Sequence, residues 1–225
     1  MNRDLAEVAP THPLFRNPDP VTAMTPRIPL VLCLTTALSA SACGATSMST
    51  PEYKRNPAPR ERYEITVTVA DAPGAFEAVE GSVTYQVLDT SCVPRDPISG
   101  AQSKTPYAHV PIVLTRRSGN SYAGSVIADL MLDEDYFGLG VCRWSLTSVS
   151  AYLRHGTTTF APGLSRDDLR AERSATTYFW KGSYPGVAAS SERTTDYGRS
   201  LPSLFVPEYR DELFSITLTA KRTTP

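Results

Sequence analysis

Residues Tyr63–Val69 read Tyr-Glu-Ile-Thr-Val-Thr-Val, apolar and polar side chains in strict alternation. Successive side chains of a strand point to opposite faces, so Tyr63, Ile65, Val67 and Val69 form one apolar face and the polar residues the other. That pattern excludes a helix and requires a second layer to cover the apolar face. It recurs along the chain. Ser82–Leu88 sets Val83, Tyr85 and Val87 on one face. Val110–Leu130 reads as two strands around a turn at Ser118, Gly119 and Asn120. In Val141–Leu153, Cys142, Trp144 and Leu146 share a face, and the phase then slips to Val149, Ala151 and Leu153, which predicts a bulge. Leu213–Ala220 closes the chain with Phe214, Ile216 and Leu218 inward, and its likeness to Tyr63–Val69 suggests that the first and last strands pair.

Helix is scarce. Ser165–Ala175 has a cap at Ser165 with Asp168 three residues on, the spacing of a capping box, and predicts a helix of about three turns. Lys181–Pro207 is a long irregular stretch, of a length that is usually functional or mobile. Many short strands, one short helix and this long C-terminal loop predict an all-β fold, an antiparallel β-sandwich over residues 61–225. It is not an immunoglobulin pattern, because Trp144 follows the second cysteine instead of lying between the pair.

Upstream of this domain the sequence describes export. Arg27 precedes an apolar run from Ile28 that shrinks to Ser39, Ala40, Ser41 and Ala42 before Cys43. Ile28–Ala42 is shorter than the roughly 20 apolar residues needed to span a bilayer, and reads as a secretory signal over residues 24–42 starting at Met24. Residues 1–23 are polar and proline-bearing, and read as upstream sequence from an earlier start codon, or else as a disordered extension. The stretch Ser-Ala-Ser-Ala-Cys43 resembles the lipobox of bacterial lipoproteins, with Ala40 where leucine is commonest. The resemblance implies that Cys43 is lipidated and becomes the first residue of the mature chain; plain cleavage after Ala42 is the alternative. Two or three acyl chains anchor durably, at about 0.8 kcal/mol per buried methylene. In that family an aspartate after the cysteine favours the inner membrane, so Gly44 implies the periplasmic face of the outer membrane. Residues 43–60 are small, polar and proline-containing, and read as a tether reaching roughly 20–25 Å.

Of the four cysteines, Cys33 would leave with the signal, and the lipobox resemblance implies that Cys43 carries lipid. Cys92 and Cys142 remain, and in an oxidising compartment they read as one disulfide, worth roughly 4 kcal/mol for a loop of this length; two buried thiols are the alternative. A formal net charge of -1, with arginines scattered among carboxylates, offers no basic stripe for nucleic acid.

Chemistry is poorly signalled. His109 and His155 sit at strand ends without a nucleophile motif beside them. Neither cysteine has a Cys-x-x-Cys partner, so no metal site is expected. Asp133–Gly138 resembles the opening of a calcium loop, but its twelfth position is Trp144 where a bidentate glutamate is required, and a solvated turn is the better reading. No catalytic residue and no cofactor are therefore expected. Aromatics are more suggestive: Tyr178, Trp180, Tyr184, Tyr197 and Tyr209 flank the long loop, where tyrosine and tryptophan commonly anchor interfaces; filling the core is their ordinary alternative. Asp133–Leu153, around its Gly-x-Cys-x-Trp, is similar to β-rich lipoproteins that neutralise antibacterial effectors such as phospholipases. The resemblance implies an immunity-type inhibitor that binds a cognate toxic effector of the envelope. A structural lipoprotein of a secretion or envelope machine and an envelope hydrolase are the alternatives.

Overall fold

The computed structural model describes residues 51–96, 98–102, 105–184 and 192–223. The signal segment 24–42, Cys43, the upstream residues 1–23 and the tether as far as residue 50 lie outside the described residues.

The domain is an all-β sandwich, as the alternation requires. Its strands are β1 (Arg62–Ala70), β2 (Ala78–Val87), β3 (Tyr107–Ile112), β4 (Thr115–Ser118), β5 (Ser121–Ile127), β6 (Trp144–His155), β7 (Thr158–Phe160), β8 (Gly163–Ser165), β9 (Ser174–Trp180), β10 (Thr194–Asp196) and β11 (Leu213–Thr223), with one short helix, α1 (Arg166–Arg170). One sheet has the order β4-β5-β1-β11-β9; the other has the order β10-β7-β6-β2-β3, with β8 also beside β6. Among the described residues, only β10 and β7 pair in parallel.

The first and last strands do pair, antiparallel from Arg62↔Thr223 to Ala70↔Ser215. Tyr63, Ile65, Val67 and Val69 of β1 and Phe214, Ile216 and Leu218 of β11 are buried against Val83 and Tyr85 of β2 and Leu146, Val149, Ala151 and Leu153 of β6. The bulge falls where the phase slips: Thr84 pairs with Ser148 and Tyr85 with Leu146, leaving Thr147 the extra residue. Its hydroxyl donates to Thr84 O at 3.1 Å. Cys92 and Cys142 are joined by a disulfide with Cα atoms 5.3 Å apart. It is buried in a satellite cluster with Val87 and Val93, partly covered by Tyr136, Phe137 and Trp144.

Three expectations change. The run Val110–Leu114 is not one strand leading to the turn at Gly119. β3 belongs to the sheet of β2 and β4 to the sheet of β5, so the chain changes sheets at Val113 and Leu114. Glycines make room for that corner: a Cβ on Gly81 would lie 2.6 Å from Ile112 Cγ1, and one on Gly124 2.6 Å from Val113 O. The helix is shorter than three turns. Ser165 caps it as expected, accepting from Asp168 N at 3.1 Å, but it ends at Arg170 and Glu172 takes a left-handed φ of 51° that turns the chain into β9.

Finally, residues 53–60, read as the end of a tether, lie along the sandwich together with Glu61. Asn56 N–H donates to Leu130 O at 2.7 Å and Leu132 N–H to Lys54 O at 3.0 Å. The Asp129 carboxylate accepts from Arg60 N and Glu61 N at 2.8 and 3.0 Å. Tyr53 packs edge-on against Tyr136 and Trp144, at 5.3 and 5.0 Å between centroids. A polar, proline-rich stretch carries no hydrophobic period, yet its backbone donors are held here like those of an edge strand.

Register also fixes the two ends of the sandwich. Arg62, Ile127 and Thr223 adjoin at one end, where Val87 meets Trp144 in the facing sheet. Ala70, Trp180 and Leu213 lie towards the other, with Ala78 and His155 opposite. The disulfide and residues 53–61 belong to the first end.

Candidate functional site

The long stretch after β9 builds the most distinctive surface. The chain leaves β9 at the edge of one sheet and reappears as β10 at the edge of the other, where Ala161 N–H donates to Asp196 O at 2.8 Å. It then returns: Arg199 and Tyr178 exchange backbone hydrogen bonds of 2.8 and 2.9 Å. Turns at Pro202–Leu204 and Pro207–Glu212 lead into β11. The guanidinium of Arg210 fastens these turns, donating to Phe205 O at 3.0 Å and Ser203 O at 3.1 Å. Residues 185–191 of the candidate segment lie outside the described residues.

The crossing borders an open groove of about 640 Å³, whose lining includes Thr158, Thr194 and Thr195 together with Leu204, Val206 and Tyr209. Tyr197 stands at its rim, 72% exposed, and Leu201, Leu204 and Val206 are each more than half exposed. Side chains of this size normally escape water, and here they are held outward by hydrogen-bonded backbone.

The five aromatics singled out in the sequence divide. Phe179 fills the core between them, which turns Tyr178 and Trp180 of β9 to the outer face. Trp180 stacks on Tyr209, with centroids 4.2 Å and planes 15° apart. Tyr209 and Tyr197 line the groove. Tyr178 reaches this region through its backbone pairing with Arg199. Tyr184 turns the other way. It stacks on His155 at 3.9 Å, meets Phe76 edge-on and donates to Ala75 O. Burial, with the charge of Glu77, raises its phenol above the usual range. Tyr184 thus packs against the core and is not among the groove's lining residues. Leu201, Leu204 and Val206 escaped the sequence reading, because a rim built on consecutive tight turns has no period; the only sign was a Pro-bracketed apolar cluster, Leu201–Pro207.

Elsewhere, both histidines of the domain and the acidic turn make hydrogen bonds within the fold. His109 Nε2 lies 2.9 Å from Ser82 Oγ and Nδ1 3.1 Å from Thr84 Oγ1, on the outer face of β2 and β3. Ser82 is buried, and its hydroxyl also donates to Tyr152 OH at 3.4 Å. In Asp133–Gly138, Asp135 Oδ1 accepts from Gly138 N at 2.7 Å and Leu139 N at 3.1 Å, and Asp133 Oδ1 accepts from Trp144 N at 2.8 Å. Desolvation works to raise Asp135, but backbone donors led by Gly140 and Gly138 outweigh it and hold the carboxyl below the usual range. This is the geometry of a capped turn. Among the described residues no three His, Cys, Asp or Glu side chains gather as metal ligands, and no helix is long and apolar enough to cross a membrane.

What the groove offers is shape and apolar contact. Its polar groups are hydroxyls, a carboxylate already accepting from Gly198 N at 2.8 Å, and an arginine. Comparison of the chain with protein-family models, with curated proteins and with solved structures finds no match.

Proposed function

We propose that this chain is a lipid-anchored binding protein of the periplasmic face of the outer membrane, and that it acts as an immunity-type inhibitor of an antibacterial effector working in the envelope. One observation carries the reading: Tyr197, Leu204, Val206 and Tyr209, all exposed, line one open groove. Contiguous exposed apolar side chains rimmed by polar groups mark interaction surfaces, and the stacked Trp180–Tyr209 pair supplies the rigid aromatic area on which hot spots are built. Lipidation at Cys43 keeps that surface in the compartment where such an effector acts.

The test uses the chain expressed from Met24 together with the protein encoded beside it. A stable complex is expected, with protection of cells that export that neighbour. Tyr197→Ala is expected to weaken the complex by at least about 2 kcal/mol, roughly thirtyfold. Loss of fatty-acid labelling in Cys43→Ser supports the anchor. A complex indifferent to alanine at Tyr197 and Tyr209 overturns the surface assignment. Turnover of esters or peptidoglycan that His109→Ala or His155→Ala abolishes overturns the binding-protein reading itself.

A further inference from the structure

Residues 53–61 and the groove lie at opposite ends of the sandwich. These residues are fastened at four levels: Tyr53 between Tyr136 and Trp144, Lys54 Nζ on Glu134 at 2.7 Å, Asn56 paired with Leu130, and Arg60 and Glu61 on Asp129. All of these partners lie in the segment 129–144, beside the disulfide. The groove is built from β10 and the turns around Trp180 and Leu213, at the far end of β1 and β11. Nine paired residues of β1 separate the two ends, about 30 Å at strand rise.

We infer that residues 53–61 are an orienting strap: they attach the anchored chain to the sandwich at its disulfide end, so that the groove faces the aqueous compartment and receives a soluble, folded protein, not one embedded in the membrane. The inference rests on the lipid-anchor reading above. Its physical content is a length. If residues 43–61 were all free tether, the chain could reach about 60 Å and the sandwich could present any face to the lipid. With the strap seated, the ten peptide steps from Cys43 to Tyr53 span at most about 35 Å, so the disulfide end is held within that distance of the lipid while the groove end can stand about 30 Å further out.

The experiment takes the full lipidated chain in vesicles of phosphatidylethanolamine and phosphatidylglycerol that carry an acceptor lipid. A donor dye is placed through a clickable residue at Leu139, at the disulfide end, or at Leu201, beside the groove; the two leucines are equally exposed, at 55% and 56%. The donor at 139 is expected to lose roughly twice as much emission to the lipid as the donor at 201, for ends about 30 Å apart. Tyr53→Ala with Asp129→Ala is expected to narrow that difference. Equal quenching at both positions, or stronger quenching at 201, overturns the inference with the anchor intact. Failure of the chain to float with the vesicles removes the anchor reading and this inference with it. The strap is tested apart from any membrane by hydrogen exchange of the full chain in solution. Slow exchange at the amides of Asn56, Arg60 and Glu61 supports it, and exchange at open-chain rates overturns it.

Discussion

The indole of Trp180 lies flat against the phenol ring of Tyr209, 4.2 Å away, and joins the last residue of β9 to the turn that precedes β11. Gly182 packs against the same indole so closely that a Cβ there would lie 2.3 Å from its ring atoms. A stacked aromatic pair contributes about 0.5–1.5 kcal/mol beyond its buried area. Tyr209→Ala is therefore expected to lower the urea midpoint modestly, and a double-mutant cycle with Trp180→Ala should return a coupling of that size. Trp180→Phe should be tolerated better, because the Trp180 Nε1–H is buried with no acceptor among the described residues and phenylalanine removes it. Additive losses in the cycle would show that the rings touch without supporting one another.

Gly198 brings the crossing segment against the backbone of β9. Its φ is 61°, and a Cβ there would lie 2.5 Å from Tyr178 O. A left-handed backbone costs a non-glycine residue about 1–2 kcal/mol, and the carbonyl cannot step aside without breaking its bond to Arg199 N. Gly198→Ala is expected to destabilise by more than about 2 kcal/mol and to raise hydrogen exchange at Arg199 and Tyr178. A thermal midpoint unchanged from the parent would sink this account.

The disulfide closes the end of the sandwich that carries the strap. Cys142 is two residues from Trp144, and Trp144 is the ring on which Tyr53 rests. Cys92→Ser is expected to cost about 2–5 kcal/mol. It should also loosen the strap, so amide exchange at Asn56 rises in step with the lost stability. Reactivity of both cysteines towards a maleimide in denatured, unreduced protein would rule the bridge out.

These relationships were not equally legible in the sequence. β1, β2, β6 and β11 each bury one face, and a side-chain period of two then writes itself into the residues; even Thr147 showed as a slip between Leu146 and Val149. The corner at Val113 and Leu114 left no such mark. It lies within an uninterrupted apolar run, and what permits it is the absence of side chains on Gly81 and Gly124 in other strands. The strap was hidden because much of its binding is by backbone N–H and C=O groups of residues 54–61, which are the same in every sequence. The groove was half visible. Its aromatics drew notice, but nothing local told Tyr184, turned onto His155, from Tyr197, turned to water.

Acid should weaken the domain through its capped carboxylates. Asp168 is held below the usual carboxyl range by the Ser165 hydroxyl first and by Arg173 second, with Ser165 Oγ donating at 2.6 Å. Asp96 and Asp89 are lowered by the backbone N–H groups of Ser99 and Ser91 first. A carboxyl whose folded pKa is depressed contributes stability that is present above its unfolded value, near 3.9, and lost as pH falls through the folded value. Urea midpoints are thus expected to be level down to about pH 5 and to fall below about pH 4. In Asp168→Asn the fall should be shallower; an identical acid limb would remove Asp168 from the account.

Alkali should act through Tyr85. This side chain is buried between the sheets and its hydroxyl donates to Ile127 O at 2.5 Å. Burial pushes the phenol well above its ordinary range, and the charge of Asp129 adds to the effect. The unfolded chain therefore releases this proton near pH 10 while the folded chain keeps it. A group raised in the folded state contributes stability that is complete below the unfolded pKa and is lost as pH rises towards the folded one. Each such group steepens the loss by about 1.4 kcal/mol per pH unit. Tyr85→Phe should cost about 1 kcal/mol at neutral pH, from the hydrogen bond to Ile127, and in return its stability should fall less steeply above pH 10. Tyr53 and Tyr184, raised by burial first, keep a residual slope. Urea titrations from neutral pH to about pH 11 read both effects. If parent and variant lose stability along parallel lines, Tyr85 ionises as freely folded as unfolded, and its burial between the sheets is not what the alkaline limb reports.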